Sequence, residues 1–91
     1  MEFNVWHVKK RGNKILIFFS VHPSINEEGS YAGIAVPADI IESLFKTTNP
    51  DALMKWYETE LEVLVKRQVL GRWTDLIEWE DPTPSRKIQK P

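Results

Sequence analysis

Phe3-Asn4-Val5-Trp6-His7-Val8-Lys9-Lys10-Arg11-Gly12-Asn13-Lys14-Ile15-Leu16-Ile17-Phe18-Phe19-Ser20-Val21 decides the fold. Two apolar runs flank a cationic, glycine-containing break, which is the pattern of a β-hairpin. With Arg11-Gly12-Asn13 as a three-residue loop, Gly12 or Asn13 supplies the positive φ and Lys10 pairs with Lys14, Val8 with Leu16 and Trp6 with Phe18. Side chains alternate across the pleat. This register puts Phe3, Val5, His7, Ile15, Ile17, Phe19 and Val21 on one face. The other face then carries Trp6, Val8, Leu16 and Phe18, flanked by Asn4, Lys10, Lys14 and Ser20. A two-residue loop would shift the register and redistribute the two sets. A sheet apolar on both faces must cover its second face with its own helices or with a ligand.

Downstream, residues 22–30 are rich in turn formers and acids and read as an exposed connection. Tyr31-Ala32-Gly33-Ile34-Ala35-Val36 is a third strand of small residues, in which Gly33 permits a bulge or a close backbone approach. Pro37 then opens a short helix in its first turn, and the stripe Ile40, Ile41, Leu44 and Phe45 is expected to cover the core face of the sheet.

Asn49-Pro50-Asp51 ends that helix and starts another, with Asn49 as N-cap and Pro50 at the first position. Leu53, Tyr57, Leu61, Leu64 and Val65 recur at helical spacing. Acids early in the segment (Asp51, Glu58, Glu60, Glu62) and cations late in it (Lys66, Arg67) suit the helix dipole, and Gly71 is a natural terminator. The pattern predicts a helix over about residues 50–70. The β-branched Val63, Val65 and Val69 leave a strand over residues 60–70 as the competing reading. Trp73-Thr74-Asp75-Leu76-Ile77-Glu78-Trp79 is a short last strand or a helical turn, with its tryptophans expected to pack on the body.

The expected architecture is therefore α+β: a curved antiparallel sheet of three or four strands packed against one short and one long helix. Residues 1–81 form the single domain. Residues 82–91, with three prolines and little to bury, read as a disordered basic tail. A chain of 91 residues supports only a modest core, so a homodimer is expected. The absence of cysteine excludes disulfides, thiolate metal clusters and a cysteine nucleophile. No signal peptide is readable and the longest apolar run, residues 15–19, is too short to span a bilayer, so the expectation is a cytoplasmic protein without a membrane partner.

Net charge is −1, unlike a general nucleic-acid binder, but the charge is uneven. Lys9, Lys10, Arg11 and Lys14 make the hairpin basic, Arg86, Lys87 and Lys90 do the same for the tail, and the middle of the chain is acidic. Catalytic constellations are missing. His7 and His22 with Glu27 or Glu28 lack metal-ligand spacing, and no metal or cofactor is expected. Glu58, Glu60 and Glu62 spread around a helix and do not form a facing carboxylate pair. The serines lack a nucleophile-elbow context, and the glycines form no phosphate cradle. The chain reads as non-enzymatic.

The strip of Trp6, Leu16 and Phe18 with Lys10, Arg11 and Lys14 has a mechanism attached. Single-stranded nucleic acid offers base faces to aromatics and phosphates to cations, with stacking contributing roughly 1 to 3 kcal/mol per base. The bland alternative is that the long helix covers this strip as ordinary core.

Residues 3–47 carry a further pattern. Lys10-Arg11-Gly12-Asn13-Lys14-Ile15-Leu16-Ile17 and Gly33-Ile34-Ala35-Val36-Pro37-Ala38-Asp39-Ile40-Ile41-Glu42-Ser43-Leu44 resemble the single-stranded-DNA-binding domain of the positive-cofactor-four coactivators and the related Pur repeats. In those families curved antiparallel sheets bind melted or single-stranded nucleic acid, and protomers or repeats pair through helices and sheets. The resemblance implies that Trp6, Lys10, Lys14, Leu16 and Phe18 form a contact surface for single-stranded DNA or RNA. Departures follow residue 49, where this chain adds a long acidic helix and a Trp-rich segment. The alternative function is a small protein-interaction or regulatory module, an inhibitor or adaptor acting through the acidic helix or the basic tail.

Overall fold

The computed structural model describes residues 1–24 and 28–82. The expected basic tail beyond Pro82, and Ile25, Asn26 and Glu27 of the acidic connection, lie outside the described residues. Among the described residues the order is β1 (Glu2–Arg11), β2 (Lys14–His22), β3 (Ser30–Pro37), α1 (Ala38–Phe45), α2 (Pro50–Gly71) and β4 (Glu78–Glu80). The strands form one antiparallel sheet in the order β1-β2-β3-β4. This is an α+β fold.

Both helices pack on one face of the sheet. Ile41 and Phe45 of α1 and Leu53, Leu61, Leu64 and Val65 of α2 join Val5, Val8, Ile15, Ile17, Phe19, Ile34 and Val36 in a single core. Ile15, Ile17 and Phe19 are fully buried, each contributing roughly 1.5–3 kcal/mol by removal from water. Leu44, expected to cover the core, is exposed at the helix edge; Ile41 and Phe45 carry that role.

Capping residues set the helix ends. Pro37 is the N-cap of α1 and not its first residue. At α2 the Asn49 side chain accepts a 3.0 Å hydrogen bond from the Ala52 N–H, and Pro50 follows where its missing donor costs nothing. The α2 segment is kinked at Tyr57, whose ring lies 5.1 Å from that of Phe45. Helical geometry then continues through residues 60–70, so the strand alternative fails there. Gly71 is the last helical residue, and the left-handed C-cap conformation falls on Arg72 (φ 47°). Beyond it, the Gln68 amide exchanges two hydrogen bonds with the Thr74 backbone, at 2.9 and 3.0 Å, and so anchors the turn that leads into β4.

The hairpin register corrects the sequence reading. Arg11 pairs with Lys14, Lys10 with Ile15, Lys9 with Leu16 and Val8 with Ile17. The turn is therefore the two-residue Gly12-Asn13, with positive φ (61°) at Gly12 alone, the first central position where a hairpin turn of the II′ kind places glycine. The shift is undone at a bulge between Val5 and His7, so residues 2–5 keep the expected pairing, Val5 with Phe19. Trp6 is the extra residue. Consequently Val8 belongs to the core and His7 to the opposite, helix-free face, the reverse of the expected sorting.

A candidate nucleic-acid interface on the helix-free face

The bulge sets two consecutive rings on the same face. Trp6 and His7 lie 5.7 and 5.8 Å from Phe18, with interplanar angles of 33° and 19°, and 5.8 Å from each other at 21°. Three rings thus lie near parallel. Tyr31 closes the group edge-on to Trp6 at 6.1 Å, the T-shaped contact that the ring quadrupoles favour. Phe18 can lie flat because its cross-strand partner is Gly33: a Cβ there would come within 2.8 Å of Phe18 Cδ1 and 3.1 Å of the Glu80 carbonyl oxygen. The permissive role read for Gly33 in the sequence takes the form of a close approach.

Leu16 and Phe18, expected as contact residues, are 1% and 5% exposed. They form a second small core with Ala35, against which Trp6 packs half-buried. No helix does this covering. Arg11 at the end of β1 reaches Glu80 in β4 through two hydrogen bonds of 2.9 and 3.0 Å, and Lys14 approaches Glu78 at 4.0 Å. The Arg11–Glu80 pair spans β2 and β3, which carry Leu16 and Ala35 on this face, over a width of about 14 Å set by three strand spacings, and the Lys14–Glu78 pair spans β3 alone. Arg11 is thereby committed to a carboxylate, and Lys14 lies at the outer limit of one.

The cations left facing solvent at the hairpin end are Lys9 and Lys10, and the outermost rings are His7, Tyr31 and the upper side of Trp6. Lys9 opposes Leu16 on this face, the place given to Val8 in the sequence reading, whereas Lys10, expected on this face, opposes the core residue Ile15 and so belongs to the helix side of the sheet. His7, Lys9 and Tyr31 were missed as candidates. The two-residue turn and the bulge move His7 and Lys9 onto this face, and Tyr31 stood in a strand read only for its small residues. The indole Nε1 of Trp6 is buried with no hydrogen-bond partner. Trp79, expected to pack on the body, points into solvent.

Among the described residues no cluster of three or more histidine or carboxylate side chains could hold a metal, and no helix is long and apolar enough to cross a membrane. The chain matches no protein-family model, and comparison with curated proteins and with solved structures gives no match.

Proposed function

We propose that the chain is a non-catalytic binding protein for single-stranded nucleic acid, with the helix-free sheet face as its contact surface. One observation carries this reading: the long helix packs on the opposite face, so Trp6 is covered by no helix among the described residues and sits in a group of near-parallel rings beside the basic hairpin end. Trp6, His7 and Tyr31 offer ring surface to bases, and Lys9 and Lys14 offer charge to phosphates. Phe18 and Leu16 support the platform from beneath. An indole N–H held without a partner costs about 1–3 kcal/mol, the sort of expense found where a surface serves binding as well as stability.

The test is fluorescence anisotropy of a labelled, single-stranded deoxythymidine oligomer titrated at low and at raised salt. Binding that weakens as salt rises, and that is lost in Trp6→Leu and in Lys9→Glu with the circular dichroism spectrum unchanged, supports the proposal. No binding at low salt, or binding indifferent to Trp6→Leu, overturns it.

The second reading, a protein-interaction module, has its own support on the helix side. There Leu44, Val63 and Trp73 are exposed around a groove of about 180 Å³ between α1 and α2. Apolar side chains gathered in this way mark contact surfaces more often than isolated ones do.

A further inference from the structure

Beyond its kink, α2 shows solvent a stripe with the spacing of one helical face: Glu60, Val63, Arg67 and Leu70. Val63 and Leu70 are 59% and 58% exposed, more than half of each apolar side chain in water. Leu44 and Trp73 flank Val63 across the groove, and the Arg67 guanidinium lies 5.9 Å from the Trp73 ring. The charges along the stripe are polarised, with Glu58 and Glu60 before Val63 and Lys66 and Arg67 after it.

From this arrangement we infer that a second copy of the chain docks on the outer face of α2, antiparallel, with the two-fold axis at Val63. An isologous contact must be self-complementary, and this stripe is so only in the antiparallel sense. Reversing a copy about Val63 sets Glu60 of each chain against Lys66 and Arg67 of the other and opposes the two helix dipoles. A parallel copy would set like charges against each other, at a cost. Val63 meets its own equivalent at the axis, and Leu44 and Trp73 extend the apolar centre on both sides. Apart from Leu44, the surface lies outside residues 3–47, which carry the coactivator resemblance, and it is on the opposite side of the sheet from Trp6. It is independent of the nucleic-acid reading.

The experiment uses the whole chain and two readouts. Sedimentation equilibrium should show a dimer that Val63→Glu weakens by at least about tenfold, a 1.4 kcal/mol effect, with an unchanged circular dichroism spectrum. Glu60→Lys should weaken it as well, and Glu60→Lys/Arg67→Glu should restore it, because residues seven apart on one helix do not pair within the chain. The protein has no cysteine, so Val63→Cys introduces a single thiol that should oxidise to a disulfide-linked dimer. Leu70→Cys should not, since two-fold symmetry places its equivalents about 21 Å apart along the helices, beyond disulfide reach. A chain that is monomeric at all concentrations overturns the inference. So does a dimer indifferent to Val63→Glu, or one that crosslinks at position 70 and not at 63.

Discussion

Arg11 and Glu80 stand 69 positions apart in sequence and form a two-bond ion pair that ties the first strand to the fourth across the helix-free face. The guanidinium is more than half exposed and the carboxylate about one-fifth exposed, so the pair is screened and contributes under about 1 kcal/mol of stability. Its larger consequence is for binding, because it occupies a hairpin cation. Glu80→Gln is expected to leave thermal stability nearly unchanged and to tighten binding of a single-stranded oligomer severalfold at low salt. Unchanged affinity in the anisotropy titration would show that Arg11 takes no part.

Gly33→Ala tests the platform under Trp6. The added methyl group would meet the Phe18 ring at 2.8 Å and the Glu80 carbonyl oxygen at 3.1 Å, one a ring locked between neighbours and the other backbone. Overpacking of this kind costs about 1–3 kcal/mol, to be read from the midpoint of urea unfolding. Stability equal to the parent would mean that Phe18 turns aside freely.

Trp6→Phe removes the unpartnered indole N–H while keeping a ring over Phe18. Relief of the unmet donor offsets part of the lost apolar area, and the net change in stability is expected to stay below about 1 kcal/mol. Nucleic-acid affinity should fall, because the smaller ring presents less surface to a base. Calorimetry and the same titration separate the two effects.

Asn49→Ala removes the side-chain acceptor from the Ala52 N–H at the start of α2. The expected cost is about 0.5–2 kcal/mol, and Asn49→Asp should recover most of it. Denaturant midpoints check both variants, and equal loss in the two would point to a packing role for Asn49.

Much of this architecture was legible in short-range signals. Asn49-Pro50 marks the start of α2 because a capping side chain and a residue without an N–H satisfy the same local requirement, and Leu61, Leu64 and Val65 bury at the spacing that announced them. Pro37 was displaced by one position only. The hairpin register was less accessible: both turn lengths satisfy the same residues, and one extra residue at Trp6 compensates for the other choice. The pairing of residues 2–5 came out as expected while that of residues 7–11 did not, and His7 and Val8 changed faces together.

The chain's own residues, taken in order, determined where strands and helices form, where α2 is capped and that the hairpin end is basic, since each depends on neighbours a few positions away. Only the folded tertiary structure decided which rings meet solvent. Closure of the second face rests on Arg11 reaching Glu80, on Phe18 lying over Gly33 and on the bulge beside Val5, whose N–H donates to the Glu62 carboxylate at 3.1 Å. Such contacts join distant segments, and their geometry exists only once the sheet has been assembled and the helices have chosen a side.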